Sequence, residues 1–259
     1  MSQPMTVTEH PAVERYFSAI RNLVCQIEGS QNEAIRQAAR MVADTVQRKG
    51  AVFVYDTGHM LSRELVGRAG GLVLLLPLRA EFRVDGSVPF RRPGAAARVA
   101  PVTPEIGLAQ ARAIMAEADV RAGDLVFVGS VSGRQVLPVE LSLIAKQRGA
   151  LVVAVTSRAY STSVRSNHPS GKRLMEVADL VLDHGAPPGD AMLQIPGIDA
   201  PMAPASGIGA AVVMWAVVLA SAEELARRGI SPSVYRSINL DDSDSHNREA
   251  LRLFEERGY

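Results

Sequence analysis

The chain is poor in the features that announce the commoner function classes. It holds a single cysteine, Cys25, which excludes an intramolecular disulfide and fits a reducing cytosol, so a cytoplasmic protein is expected. In its helical, apolar-periodic surroundings Cys25 reads as a core residue rather than a nucleophile. Net charge is nearly absent: 28 Lys and Arg against 27 Asp and Glu leave a formal +1. Nothing in that balance calls for nucleic acid or an anionic membrane, so the expected partner is small. A long hydrophobic run is missing too. The most apolar stretch, Ile208 to Ala220, falls short of the ~20 residues that span a bilayer and reads as a buried helix. The N-terminus shows no basic head followed by a long apolar segment, so no secretory signal is expected. There is no Gly-Lys-Ser/Thr ending a glycine loop, no G-x-G-x-x-G, no Cys/His zinc spacing and no EF-hand, which argues against nucleotide and metal sites.

What is present centres on Leu125 to Ser157, LVFVGSVSGRQVLPVELSLIAKQRGALVVAVTS. A short β-branched run, a loop of small residues, an apolar-periodic segment and a second apolar run read as strand, loop, helix and strand. Two fully apolar strands joined by a helix lie parallel in a sheet covered on both faces, through a right-handed crossover. Pro138 fits only the first turn of its helix, so the loop ends near Arg134 or Gln135. The loop then sits at a strand's carboxyl end and a helix's amino end, where open amides and the helix dipole favour an anion. Ser130 and Ser132 add hydroxyls, Gly133 allows close approach and Arg134 adds charge. A phosphate suits such a loop; equally, Ser and Gly can make a turn and cap the helix with no ligand at all.

The rest of the chain repeats this logic. Two apolar-periodic segments, one from Val13 to Ile27 and one from Ala34 to Val46, flank Gly29-Ser30 and predict an N-terminal helical hairpin within residues 1–50. A strand over Ala51 to Tyr55 leads into Asp56-Thr57-Gly58-His59, a helix and a strand over Leu72 to Leu76. Two such loops at one edge of a parallel sheet would flank a crevice, the usual ligand position in open α/β sheets. Leu78 to Thr103 is irregular and carries Arg79, Arg83, Arg91 and Arg92, read as a solvated loop or as substrate contacts. A helix over Pro104 to Ala118, a strand over Leu180 to Asp183, a Pro/Gly-rich stretch over Ala186 to Pro204 at the rim of the site, a long helix to Arg228 and a last helix from Arg248 complete the pattern. The fold expected is a three-layer, doubly wound α/β unit with a mostly parallel five-stranded sheet, residues 51–259, joined to the hairpin as one structural unit.

The order of Thr57-Gly58-His59, Arg63-Glu64-Leu65, Arg68-Ala69-Gly70-Gly71, Ser130-Val131-Ser132-Gly133 and Val155-Thr156-Ser157 resembles the sugar isomerase (SIS) domain family from about Val13 onward. The likeness is greatest to its single-domain, phosphoheptose-isomerase-like members, whose tails also read Asn-x-Asp and His-Asn before a final helix. The resemblance implies a phosphosugar site, with phosphate held by the loop Ser130, Val131, Ser132, Gly133, Arg134 and Gln135, and with Thr57, Gly58 and Thr156 as further binding residues. Gln135 replaces the hydroxyl residue that often ends this loop. Asp56 stands where relatives tend to have Gly; a carboxylate there repels an anion unless it points away or binds sugar hydroxyls.

By the same resemblance Glu64 matches the base of phosphoheptose isomerase, which moves a proton between adjacent carbons through an enediolate. A surface ion pair with Arg63 or Arg68 is the alternative for Glu64. His59 and His246 are candidates for ring opening or acid catalysis, His246 from a neighbouring subunit of a homodimer or homotetramer with shared sites; His59 otherwise caps or packs. Asp241, Asp242, Asp244 and His246 read as a solvated cap rather than a metal site, and no cofactor is implied. The function expected is an aldose-ketose sugar-phosphate isomerase. The alternatives are a lyase, etherase or deaminase on an amino-sugar phosphate, or a non-catalytic phosphosugar sensor.

Overall fold

The computed structural model describes residues 11–57, 60–81 and 103–259. The apolar runs become β1 (Val52–Asp56), β2 (Leu75–Pro77), β3 (Leu125–Gly129), β4 (Leu151–Thr156) and β5 (Leu180–Asp183). They form one sheet in the order β2-β1-β3-β4-β5 with every pairing parallel. All five residues of β1 and of β3 are buried, as strands covered on both faces require.

The helices are α1 (Pro11–Gln47), α2 (Ser62–Leu65), α3 (Pro104–Glu117), α4 (Val136–Gln147), α5 (Arg158–Ser163), α6 (Leu174–Val177), α7 (Ser206–Arg227) and α8 (Ser243–Arg257). Strand side chains alternate between two cores. Val52, Val54, Leu125 and Phe127 pack with α1, α2 and α7. Phe53, Tyr55, Val126 and Val128 pack with α3, α4 and α6. This is the three-layer, five-stranded architecture expected from the sequence. Helix α2 follows β1 on one face and α4 follows β3 on the other, so the connections diverge and open a crevice at the carboxyl ends of β1 and β3.

The N-terminal hairpin is a correction: residues 11–47 form one helix, about 55 Å long at 1.5 Å per residue. Its buried stripe, Leu23, Ile27, Gln31, Ile35, Ala38, Val42 and Val46, crosses Gly29-Ser30 without a break. The polar residue in the stripe is what disguised the continuity. Gln31 Oε1 accepts the Asp183 amide at 2.9 Å, and Ser30 Oγ bonds back to the Gln26 carbonyl at 2.7 Å. A mid-helix glycine costs only about 1 kcal/mol, less than packing a stripe of this length against α7 and the sheet returns. Cys25 points away from that stripe and is exposed, so it is not a core residue.

Two further differences are local. The Pro/Gly-rich segment after β5 contains a short antiparallel pair, β6 (Ala191–Leu193) and β7 (Met202–Pro204). It lies beside α1, where Arg15 Nη2 donates to the Gln194 carbonyl at 2.7 Å. The last helix begins at Ser243, five residues earlier than its periodicity suggested.

His184, just past β5, is wholly buried, and its Nε2 has no hydrogen-bond partner. Burial holds this imidazole below the ordinary histidine range, against the opposing pull of the Asp183 and Asp190 charges. The folded chain therefore keeps it neutral, whereas the unfolded chain protonates it below about pH 6.5. Stability from this group is full above that pH and is lost as pH falls through and below it. Denaturant midpoints should decline from pH 7 to pH 5, and His184→Gln should flatten the decline. Gly29→Ala tests the continuous helix: because nothing lies within 4 Å of an added Cβ, it should raise stability by about 1 kcal/mol, whereas a glycine needed for a turn would lose stability.

Candidate functional site

The loop after β3 is anchored by its carbonyls. The Val131 carbonyl accepts the Ser157 amide at 3.0 Å and the Thr156 hydroxyl at 3.2 Å. The Gly133 carbonyl accepts the Leu174 amide at 2.8 Å, and the Arg134 carbonyl accepts the Asn167 amide at 2.9 Å. The Ser130 amide donates to the Val155 carbonyl at 3.1 Å, extending the β3-β4 pairing. Among the described residues, the amides of Val131, Ser132, Gly133, Arg134 and Gln135 have no protein acceptor. Successive amides left open at a turn form an anion-binding nest.

Gly133 makes the turn possible. Its φ is +63°, and a Cβ there would lie 3.0 Å from Leu174 Cβ and 3.2 Å from Thr156 Oγ1. The chain enters α4 at Gln135, which offers no side-chain cap. Pro138 occupies the third position of the helix, within the first turn as expected. Several other helix starts are closed by side chains. Asp56 Oδ2 accepts the Leu61 and Ser62 amides before α2. Ser157 Oγ accepts the Tyr160 amide in α5, and Asp190 Oδ1 accepts the Ala205 and Ser206 amides at α7. The serines of the 130–135 loop thus do not cap α4, and its dipole end stays open.

The Arg134 side chain is held by a turn from farther along the chain. Its Nη2 donates to Asn167 Oδ1 at 2.7 Å, and Asn167 Nδ2 donates to Gln135 Oε1 at 3.1 Å. Arg134 Nε is enclosed with no acceptor, a donor that a buried site should satisfy. Asn167 was not singled out from the sequence. Its Ser-Asn-His-Pro context signals only a turn, and nothing local says that this turn folds onto a loop some thirty residues away.

The other sequence-derived candidates are placed as follows. Thr57 lines a cavity of about 420 Å³ with Asp56, Ser62, Arg63, Arg79 and Leu137. Gly58 and His59 lie outside the described residues, as do Arg83, Arg91 and Arg92. Thr156 is fully buried and acts through the Val131 carbonyl rather than facing the crevice. Glu64 is half-exposed, 3.6 Å from Arg68 Nη2, and does not line the cavity. His246 donates from Nε2 to the Val234 carbonyl at 2.9 Å, while Asn247 holds both the amide and the carbonyl of Arg236. These two tail residues pin a segment that pairs with Gly70 to Val73 ahead of β2. Within one chain, the structure does not bring Glu64 and His246 together at the 130–135 loop.

The comparisons agree with this architecture. The UPF0309 protein of Listeria innocua is 32% identical over 247 residues, 95% of this chain and 96% of the relative. A UPF0309 protein of Streptomyces avermitilis is 36% identical over 255 residues, 97% of this chain and 98% of the relative. Among solved structures, phosphoheptose isomerase GmhA from Neisseria gonorrhoeae superposes with a TM-score of 0.52 at 16% identity, covering 83% of this chain and all of that one. At that identity the likeness speaks for the fold. A family model described as SIS domain matches residues 15–157, a span that takes in α1, the open loop after β3 and the strand behind it, and the chain belongs to the SIS domain family.

Proposed function

We propose that this protein binds a sugar phosphate, with the phosphate on the amides of residues 131–135 and the amino end of α4, and the sugar extending toward Thr57. The observation that carries the proposal is the open loop: five consecutive amides without acceptors ahead of an uncapped helix. A phosphate oxygen takes several such donors at once, and the dipole end adds to the attraction. Membership of the SIS family and a fold shared with a phosphoheptose isomerase support the same ligand class.

The reaction we assign is aldose-ketose isomerisation, with Glu64 as the base that moves a proton between C1 and C2. Glu64 would have to leave Arg68, and a solvent-exposed pair of this kind is worth no more than about 1 kcal/mol. The second reading, a phosphosugar sensor without catalysis, is favoured by one observation: Glu64 is turned to Arg68 and does not line the cavity beside Thr57. Association of copies accompanies either reading, since Val13 and Phe17 on the first turns of α1 are more than half exposed and offer apolar surface for a second copy.

Calorimetric titration with a panel of sugar phosphates should show binding that Gly133→Ala abolishes, because the left-handed turn and the contact with Leu174 exclude a side chain. Ser132→Ala, by contrast, should weaken binding about tenfold, the value of one hydrogen bond to a charged group. Unchanged affinity in Gly133→Ala would remove the phosphate from this loop. Catalysis is read separately, by solvent deuterium entering the carbon next to the carbonyl. Exchange in the wild type that Glu64→Gln suppresses by 100-fold or more, the usual worth of a general base, supports the isomerase. Tight binding without exchange supports the sensor.

A further inference from the structure

We infer that the turn at residues 166–168 is the clamp that gives the phosphate loop its shape, with Asn167 as a positioning residue and the His168–Glu140 pair as its anchor on α4. The inference rests on the reading above that a phosphate occupies this loop, and it concerns residues that reach the ligand only through the loop. Two segments hold the loop's carbonyls. One is the end of β4, fixed in the sheet, where the Thr156 hydroxyl and the Ser157 amide reach the Val131 carbonyl. The other lies between α5 and the start of α6, and its amides at Asn167 and Leu174 reach the Arg134 and Gly133 carbonyls. A connecting segment of this kind is only as firm as whatever pins it.

Asn167 grips the loop in three ways. Its backbone amide donates to the Arg134 carbonyl at 2.9 Å. Its Oδ1 accepts from Arg134 Nη2 at 2.7 Å, and its Nδ2 donates to Gln135 Oε1 at 3.1 Å. One side chain thus joins Arg134 to Gln135 where the chain passes from the loop into α4.

His168 supplies the pin. The Ser170 amide donates to its Nδ1 at 3.1 Å, so the ring donates from Nε2, which faces Glu140 Oε2 at 3.1 Å. Only 5% of the His168 side chain and 14% of the Glu140 side chain are exposed, which shields this bond from competing water. Ser166 Oγ accepts the His168 amide at 3.0 Å and donates to the Lys172 carbonyl at 2.6 Å, closing the turn on itself. Arg112 Nε lies 3.6 Å from Glu140 Oε1 but is largely exposed and adds little.

Glu140 belongs to α4, about one and a half turns beyond Gln135. The contacts therefore close a ring, from the start of α4 through Asn167 and His168 and back to α4 at Glu140. This ring ties the open end of the helix to its own second turn and shapes the loop ahead of any ligand. Pre-shaping matters because a ligand that must first order its site binds more weakly, by about tenfold for each backbone residue it has to fix.

The test is calorimetric titration of the full chain with inorganic phosphate and with the tightest-binding member of the sugar-phosphate panel, beside thermal melting. Asn167→Ala keeps the backbone bond to Arg134 and removes only the side-chain grip. It should weaken both ligands about tenfold, with a melting temperature close to that of the wild type because the side chain is exposed. His168→Gln, whose Nε2 can still donate to Glu140, should bind as the wild type does, whereas His168→Leu should lose about tenfold. Asn167→Ala combined with His168→Leu should bind no more weakly than the weaker single variant, since both open the same ring. A purely structural role would lower the melting temperature and leave the affinity of the folded protein unchanged. Wild-type affinity in Asn167→Ala, or equal losses in His168→Gln and His168→Leu, overturns the inference and leaves the phosphate loop in place. Wild-type protein that binds neither probe removes the phosphosugar reading and the inference with it.

Discussion

The structure depends on how three carbonyls are tied down. Val131, Gly133 and Arg134 direct their oxygens to amides contributed by the segment after β4, the start of α6 and the turn at Asn167. A backbone whose carbonyls are committed inward in this way leaves its amides for something else to satisfy. Those open amides are left to solvent or a ligand, and the surrounding elements hold the loop in the conformation that presents them. The β3-β4 pairing fixes one end, Pro138 and α4 fix the other, and Gly133 supplies the left-handed turn between them. The functional reading follows from that imbalance of donors and acceptors, and from no single side chain.

Parts of this were legible in the sequence because they depend on local chemistry. Strands buried on both faces need unbroken apolar runs, and Leu125 to Val128 and Leu151 to Val155 provide them. A proline deeper than a helix's first turn costs about 3 kcal/mol, which puts the end of the loop near Arg134 or Gln135. The residues that close the site from a distance left no such trace. Asn167 reaches Arg134 and Gln135, and Asp190 closes the start of α7, through folds of the chain that no window of residues reveals.

The errors share a cause. Gly29-Ser30 looked like a hairpin because the apolar stripe of α1 passes through a glutamine there, and Gln31 is buried to receive an amide from the end of β5. A polar residue in a helical stripe reads as a break unless its partner is known. Cys25 looked buried because its surroundings are apolar-periodic, but positions 23 and 27 define the inward face and position 25 lies across the helix from them. His246, a candidate acid by the family resemblance, is tied within its own chain to the Val234 carbonyl, beside the approach to β2. In each case the sequence identified a residue under constraint without saying whether that constraint was contact with a ligand or with the chain.

The same distinction separates the two loops that flank the crevice. Read as patterns, both are strand, small polar loop and helix, and both would offer amides to an anion. Asp56 breaks the equivalence because a carboxylate placed at the end of a strand can fold forward onto the next helix's first amides, satisfying them internally. Gln135, at the corresponding junction of the other loop, lacks the charge and makes no cap, leaving those amides to an outside partner. Closing one helix end and leaving its neighbour open gives the crevice a polarity that two open ends would not have. A ligand with one strongly negative end can then lie in it in a single direction, and a catalyst that must present one particular carbon to a base requires that direction to be fixed.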